Sequence, residues 1–384
     1  MYADSAFEPV RPTRVLMTAD TLGGVWVYAL ELIAALREYA VDVVLVTMGD
    51  HLSRSQTAQL AGLDNVELHE TSYKLEWMND PWRDVAACGD DLLKIESETR
   101  PDVVHINGYS HAALEFNAPV LVVGHSCVYS WSRAVRHCRP GDEWLDYFRA
   151  VRRGLGAADA VTAPTWTMLK TLQEFYGPFR SAEPIYNGRV FPFKRRPKKP
   201  LVFSAGRLWD EAKNIGALEQ AAGSLAWPIC VAGQNIHPNG GVADFNNLQM
   251  LELLTQQQMA LWMAAASIFA MPSRYEPFGL SALEGAICGC ALVLGDIPSL
   301  REVWGATALY ASPDDPDAIT CQIERLIEDP HLLRLYAARA AERARFFSVD
   351  RMAAGYLRLY TDLLKEADSE ASIMEQYAGA KSPA

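Results

Sequence analysis

Short apolar runs alternate with helix-like stretches along the first half of the chain. A helical pattern through Trp26, Leu32 and Leu36 follows the first run. The runs do not alternate between apolar and polar positions, so each predicts a strand that is buried on both faces. Strands separated by helices are typical of a parallel sheet covered on both sides. The predicted strands are 14–18, 43–47, 103–106, 120–124 and 160–163.

A second series of the same kind begins after a break at 191–200. That segment holds three prolines and five cationic side chains, which indicates an exposed linker. The run from Met259 to Met271 is too short to span a bilayer, which needs ~20 residues, and it predicts a buried helix leading into a strand. The predicted strands of the second half are 201–204, 228–233, 249–253, 268–271 and 291–294.

The fold class that follows is α/β, with two doubly wound domains facing each other across a cleft. The stretch 351–366 is amphipathic at helical spacing and predicts a helix that packs back on the first domain, and the polar tail after it predicts fraying. Open sheets of this class bind ligands at the carboxyl ends of their strands. The predicted division is 1–190, linker 191–200, 201–350, helix 351–366 and tail 367–384.

The composition of the chain disfavours some classes of function. The formal net charge of -12 disfavours a nucleic-acid partner, but leaves room for a small anionic ligand held by a few cations. The seven cysteines are scattered and odd in number, and Cys288-Gly-Cys290 lacks a second pair at metal-ligand spacing. These features predict packed thiols and a cytoplasmic protein. The first dozen residues lack the apolar core of a signal peptide.

Candidate site residues follow the predicted strand that ends at Met271. The segment Arg274-Tyr-Glu-Pro-Phe-Gly-Leu-Ser-Ala-Leu-Glu-Gly285 contains a turn and then a helix start. Free amides at that start would form an anion site, while Glu276 and Glu284 can each accept hydrogen bonds from ligand hydroxyls. The alternative is a helix whose acidic residues only complement its dipole.

A second motif follows the strand 201–204. Gly206-Arg207-Leu-Trp-Asp-Glu-Ala-Lys213 places two cations six residues apart at a strand-to-helix turn. A departing diphosphate needs two positive charges, and arginine can bind its oxygens through two parallel hydrogen bonds. Taken alone, the motif is also compatible with a solvated surface turn.

Together these motifs resemble family 4 of the retaining glycosyltransferases, which have the GT-B arrangement of two facing Rossmann-like domains. Glu276 and Glu284 match the family's Glu-x7-Glu element, and 290–302 resembles its next strand and loop. Asn187-Gly188 also fits, although Tyr186 stands where the family usually has proline. In the first half the resemblance rests on Gly23-Gly24, on the His105 strand and on Gly124-His125.

The resemblance implies a role for each matching residue. Arg207 and Lys213 would neutralise the donor diphosphate, and Gly24 would let backbone approach it. Glu276 would hold the transferred sugar together with the amides of Phe278, Gly279 and Leu280, and His125 would contact the same sugar. Glu284 would hold the ribose, and backbone near Leu254 would read the base. Trp209 and its neighbours put bulk between the two cations, which leaves the phosphate contact of Lys213 less defined than that of Arg207.

The resemblance also implies the mechanism. Retention would proceed by a same-face displacement in which Glu276 orients the sugar and the donor phosphate helps to remove the acceptor proton. Stabilisation of the diphosphate by cations and a helix N-terminus makes a metal unnecessary, so no metal and no cofactor is expected beside the nucleotide sugar. Asp315-Pro-Asp317 is a DxD sequence in a polar turn before a helix, and it is interpreted as a helix cap.

The acceptor side is less defined. A glycan acceptor, free or lipid-linked, is expected, with Tyr129 and Arg133 as candidate contacts, although packing is favoured for the aromatic residues near Arg133. The cationic stretch from Arg133 to Arg153 has two open interpretations, a peripheral contact with the inner face of a membrane and a solvated helix face. His105 is interpreted as structural because it lies inside a strand.

The expected function is transfer of a hexose from a nucleotide-diphosphate sugar, with UDP-glucose as the favoured donor, in polysaccharide or glycoconjugate synthesis. Three alternatives share the two-domain plan: a sugar-nucleotide epimerase, a phosphorylase and a non-catalytic sugar-nucleotide-binding protein. An epimerase is expected to lack the two cations beside Glu-x7-Glu, and a phosphorylase is usually far longer. The complete set of cations and carboxylates argues against the binding protein.

Overall fold

The computed structural model describes residues 11–236 and 242–379, and within them two parallel sheets are each flanked by helices. The first sheet has the strand order β3-β2-β1-β4-β5-β6-β7 and the second the order β10-β9-β8-β11-β12-β13. The strands are β1 Arg14–Asp20, β2 Asp42–Met48, β3 Val66–His69, β4 Val103–Ile106, β5 Val120–Val123, β6 Ala160–Ala163, β7 Ala182–Pro184, β8 Lys199–Ala205, β9 Ile229–Ala232, β10 Gln249–Met250, β11 Ala266–Met271, β12 Ala291–Gly295 and β13 Leu309–Ala311.

The helices fill both faces of each sheet, as the unbroken apolar strands predict. Short 3-10 turns lie between some of them, including Glu211–Lys213. The helices are α1 Gly24–Arg37, α2 Arg54–Leu60, α3 Trp82–Thr99, α4 Val128–Arg136, α5 Leu145–Ala157, α6 Trp166–Tyr176, α7 Ile215–Ala222, α8 Gln256–Ala265, α9 Leu280–Ile287, α10 Pro298–Trp304, α11 Pro316–Glu328, α12 Pro330–Ala344 and α13 Val349–Gly379.

The strand predictions are confirmed for the interior of both sheets. The apolar run after Met259 forms α8 and then β11, as predicted. Three strands were not predicted, namely β3, β7 and β13, and each lies at an edge of its sheet. An edge strand is only partly covered, so its sequence lacks the continuous apolar run of a central strand.

The chain crosses between the sheets in two places. Residues 191–198 carry neither helix nor strand. The last helix, α13, packs against α1 and β4 through Met352, Tyr356 and Tyr360, which are buried. A methyl group added to Gly188 would lie 2.4 Å from the Ser348 carbonyl oxygen, so the two crossing segments are in direct backbone contact. The helix α13 extends to Gly379, beyond the end that the amphipathic pattern predicts.

Strand order reverses direction between β1 and β4 in the first sheet and between β8 and β11 in the second. At such switch points the carboxyl ends of the strands border a crevice, which is where open α/β sheets bind ligands. Asp20 is the last residue of β1, and Asn107, Arg207 and Glu276 follow β4, β8 and β11. The two crevices open toward each other.

Candidate active site

The crevice of the first sheet begins at the end of β1. Gly23 takes a φ of 89° and leads directly into α1, a conformation that side-chain-bearing residues rarely adopt. The Asp20 carboxylate accepts a hydrogen bond from the Leu22 amide. Burial raises the pKa of Asp20 to about 7, while the Leu22 amide and the nearby Arg207 guanidinium act in the opposite direction. Asp20 was not among the predicted site residues.

Arg207 faces this turn from the second sheet. Its guanidinium pairs with Asp210 at 2.8 Å and its side chain is 46% exposed. A methyl group added to Gly23 would lie 3.8 Å from the Arg207 Nη1 atom, so the glycine turn and the guanidinium border the same space. The arrangement leaves a half-exposed cation opposite a helix N-terminus, which is suited to an anionic group between the domains.

Lys213 and Glu276 are brought together by the second switch point. The Lys213 ammonium forms an ion pair with the Glu276 carboxylate, and the two side chains are 19% and 13% exposed. The two groups are 63 residues apart in sequence. The cation predicted for the diphosphate and the carboxylate predicted for the sugar therefore neutralise each other, and a ligand that reaches either group must share or replace this contact.

The helix start after Glu276 has the predicted form. Gly279 is the N-cap of α9 with a φ of 90°, and the helix begins at Leu280. The Phe278 side chain is buried against Phe347. Leu254 is half-buried and follows β10 at the same edge of the sheet.

Glu284 has a partner that was not among the predicted site residues. Arg189, which is almost fully buried, donates from Nε to Glu284 Oε1 at 2.7 Å and also pairs with Glu31 of α1. Burial raises the pKa of both carboxyls, and the guanidinium of Arg189 opposes that shift. The cation offsets part of the cost of burying Glu284, orients its carboxyl group and ties α9 of one domain to α1 of the other.

His125 lies at the end of β5 on the first domain's side of the cleft. The Tyr28 ring and its imidazole pack in a T-shaped arrangement at a centroid distance of 4.5 Å. Burial lowers the pKa of His125 to about 3, with a smaller effect from His105, so the ring is neutral at physiological pH. His105 itself is fully buried inside β4, as predicted.

The acceptor prediction for Tyr129 is wrong. Its ring is buried among Phe148, Phe175 and Tyr176, so it cannot stack on a ligand from solvent. Arg133 is exposed and pairs with Glu174 at 2.7 Å, with its guanidinium over the Phe175 ring. Of the other cations in the stretch, Arg136 pairs with Glu211 and Arg149 with Asp146. Membrane contact by this stretch stays a prediction.

The remaining chemical predictions were about metals and cysteines. Asp315 is the N-cap of α11 and accepts from the Ala318 amide at 2.9 Å, which confirms the capping interpretation of the DxD sequence. All seven cysteines are free. Within residues 11–236 and 242–379 no cluster of three or more His, Cys, Asp or Glu is placed to hold a metal ion, and none of the helices there is both long and apolar enough to cross a bilayer.

Contacts between the two domains surround the site. Ser130 hydrogen-bonds Tyr275 at 2.7 Å, and the Thr165 hydroxyl donates to the Pro277 carbonyl oxygen at 2.9 Å. Glu302 of α10 caps the N-terminus of α6 in the other domain, accepting from the amides of Trp166 and Thr167 at 2.7 and 2.8 Å. It also accepts from the hydroxyls of Thr167 and Tyr186.

Replacing Glu302 with alanine is expected to lower the free energy of unfolding by about 2–3 kcal/mol, because charged hydrogen bonds at a helix N-terminus are lost. Guanidinium-induced unfolding monitored by circular dichroism measures the change. The exposed Glu328 of α11 is the matched control, and Glu328→Ala is expected to stay within 0.5 kcal/mol, roughly the usual range for surface changes. Equal effects of the two variants would contradict the assigned contact.

Family models match both halves of the chain. A model described as Glycosyltransferase Family 4 matches residues 22–189, and one described as Glycosyl transferases group 1 matches residues 199–329. Together they account for most of the chain.

Similar solved structures cover nearly the whole chain. Sucrose-phosphate synthase from Thermosynechococcus elongatus is 18% identical, with a TM-score of 0.77 over 92% of this chain and 100% of its own. HepE of Anabaena, solved in complex with UDP-glucose, is 16% identical, with a TM-score of 0.70 over 92% of this chain and 99% of its own. At such identities the likeness shows the fold, which is the GT-B arrangement.

Curated relatives match over shorter stretches. The O-antigen chain mannosyltransferase B of Escherichia coli is 29% identical over 42% of this chain and 36% of its own length. The D-inositol 3-phosphate glycosyltransferase of Streptomyces bingchenggensis is 31% identical over 47% of this chain and 41% of its own. The chain thus spans well under half the length of these relatives in the matched regions.

Proposed function

This chain belongs to the group 1 glycosyltransferases, and from that premise we propose that it transfers a hexose from a nucleotide-diphosphate sugar to a saccharide or lipid-linked saccharide. One observation carries the proposal: the glycine turn after β1 faces Arg207, and the Lys213–Glu276 pair lies beside the N-terminus of α9. Cations, free amides and a carboxylate therefore border one cleft, which is the set of groups that a sugar diphosphate requires.

We propose UDP-glucose as the donor. HepE, which shares the fold, is solved in complex with UDP-glucose. Among the residues that the structure describes, Glu284 accepts a hydrogen bond from Arg189 at Oε1 and from none at Oε2, which leaves Oε2 for a ribose hydroxyl. Leu254, after β10, lies near the place proposed for the base.

The proposed reaction is a same-face displacement with retention. Arg207, Lys213 and the amides at the start of α9 stabilise the departing diphosphate, which is the main catalytic contribution. Glu276 orients the transferred sugar after Lys213 turns toward the phosphate. The donor phosphate accepts the proton of the attacking hydroxyl, so neither a metal nor a further cofactor takes part.

We propose that the acceptor enters beside Trp209. A cavity of ≈410 Å³ lies between the end of α4 and the segment that joins the two cations, and residues of both domains line it, including His137, Trp209 and Arg274. This volume is typical of ligand pockets. Synthesis of a polysaccharide or glycoconjugate in the cytoplasm is the proposed setting.

Turnover of radiolabelled UDP-glucose tests the function. In buffer with a chelator, we expect release of UDP, stimulated by a mixture of oligosaccharide acceptors, with product of the same anomeric configuration by NMR. UDP-glucose is expected to outcompete GDP-mannose and UDP-N-acetylglucosamine. Binding of UDP-glucose without release of UDP would support the non-catalytic binding protein, and conversion of the sugar while it stays attached to UDP would support the epimerase.

A further inference from the structure

A row of four hydrogen-bonded side chains runs from α13 through the first sheet to the cleft. The Tyr360 hydroxyl lies 2.6 Å from His105 Nδ1, and His105 Nε2 lies 3.2 Å from Asn107 Oδ1. His125 Nε2 lies 2.8 Å from the same Asn107 oxygen. Asn107 follows β4 at the first switch point, and its Oδ1 atom is the shared hydrogen-bond partner of the two histidines.

The orientation of the Asn107 amide is set by backbone. Asn107 Nδ2 donates to the Thr18 carbonyl oxygen at 2.7 Å, and a carbonyl oxygen can only accept. A flipped amide would place two oxygens against each other, so Oδ1 must face the histidines. The backbone N–H of Asn107 also donates to the Thr18 hydroxyl at 2.9 Å, which fixes the backbone beside the side chain.

The proton positions on both histidines follow. Because Oδ1 only accepts, the Nε2 atoms of His105 and His125 must each carry a proton. The Tyr28 hydroxyl, 3.3 Å from His105 Nε2, then faces that proton as a second acceptor. Burial lowers the pKa of both rings to about 3, so each is neutral and holds that single proton. His105 Nδ1 then carries a lone pair that accepts a hydrogen bond from the Tyr360 hydroxyl, and His125 Nδ1 carries a lone pair as well.

The Nδ1 atom of His125 is the open end of the row. Among the residues that the structure describes, it has no hydrogen-bond partner. It is also not one of the fully buried polar atoms that lack a partner. The ring is held by Asn107 on one side and by the Tyr28 ring on another. A rigid, neutral acceptor therefore remains on the first domain's side of the cleft.

We propose that Asn107 is a positioning residue that holds His125 as the Nε2-protonated tautomer, so that His125 Nδ1 accepts a hydrogen bond from one hydroxyl of the transferred sugar. The sugar as the ligand rests on the proposed function, whereas the tautomer does not. The ligand group at this point must be a donor, so a sugar that carries hydrogen or fluorine in place of that hydroxyl loses the contact. The row makes His125 a specificity-determining acceptor rather than a proton donor.

Nitrogen NMR of protein labelled with ¹⁵N-histidine tests the tautomer without any substrate. In the wild type at neutral pH, His125, assigned by comparison with His125→Gln, is expected to show a protonated Nε2 and an unprotonated Nδ1. Asn107→Leu removes the acceptor and is expected to mix the two tautomers. Tyr360→Phe is the matched control, because it removes only the far end of the row and is expected to leave His125 unchanged.

A protonated Nδ1 on wild-type His125 would overturn the proposal, even if the Asn107 variant fails to fold. So would an unchanged tautomer in a folded Asn107→Leu protein.

Kinetics test the consequence for specificity. Asn107→Leu is expected to lower kcat/KM for UDP-glucose by about tenfold, the effect of one hydrogen bond. Among the singly deoxygenated analogues of UDP-glucose, one is expected to be a poorer donor for the wild type and to be insensitive to Asn107→Leu. If every analogue shows the same drop as UDP-glucose, the variant acts through structure and the specificity role is contradicted. If no nucleotide sugar turns over at all, the proposed function fails while the NMR result stands by itself.

Discussion

Replacing Lys213 with methionine is expected to lower kcat by about 10²- to 10³-fold, the effect of removing one preorganised group that stabilises developing negative charge. Lys213 is held by Glu276 at the second switch point and is mostly shielded from water, which strengthens its interaction with a diphosphate. The KM for the donor is expected to change less than kcat, because the negative charge grows as the diphosphate leaves. Steady-state kinetics with the donor identified by the turnover assay measures both quantities.

The control for this variant is the exposed Lys170 of α6, and Lys170→Met is expected to leave kcat unchanged. Methionine at position 213 also leaves Glu276 without its cation, so the double variant with Glu276→Gln separates the two effects. If Lys213→Met alone is slow but the double variant recovers, Lys213 serves only to neutralise Glu276. A kcat within about threefold of the wild type in Lys213→Met, well below the expected loss, would contradict the catalytic role.

Replacing Arg189 with methionine is expected to lower the free energy of unfolding by about 3–5 kcal/mol, the cost of removing one partner from a buried ion pair. Two carboxylates, those of Glu31 and Glu284, would stay close together without the cation between them. They would have to take up a proton or separate the domains. Denaturant unfolding followed by tryptophan fluorescence measures the loss, and it should be smaller at pH 5 than at pH 8, because low pH neutralises the carboxyls whose pKa burial raises.

The exposed Arg334 of α12 offers a matched control, and Arg334→Met is expected to leave stability unchanged. Adding Glu31→Gln to Arg189→Met is expected to recover part of the lost stability, since one of the two uncompensated charges is removed. A loss below about 1 kcal/mol in Arg189→Met would show that the cluster is solvated rather than buried.

Much of the architecture could be predicted from local sequence patterns. A continuous apolar run such as Val120–Val123 is buried wherever it lies in a covered sheet, so its position does not depend on knowing its neighbours. The unpredicted strands lie at the edges. β3, Val66–His69, is partly exposed at every position, and only its pairing with β2 makes it a strand.

Some residues of the candidate site could likewise be predicted from local sequence patterns, and others could not. Arg207, Lys213, Glu276 and Glu284 were found because each belongs to a motif that begins after a predicted strand and resembles a known family. Asp20 follows a strand as well, and its position before Gly23-Gly24 was a usable signal. Tyr129 was misassigned because an aromatic residue near cations has the same sequence pattern whether it packs inside or stacks on a ligand.

The sequence by itself determined two parallel sheets and the strand ends at which polar groups gather, because the period of apolar positions and the turn residues act over a few residues. Only the tertiary structure decided which of those groups meet. Arg189 is 95 residues from Glu284, and His105 is 255 residues from Tyr360. Ion pairs and proton positions depend on atoms within hydrogen-bond distance, and the chain brings such atoms together only when both sheets and the last helix have packed.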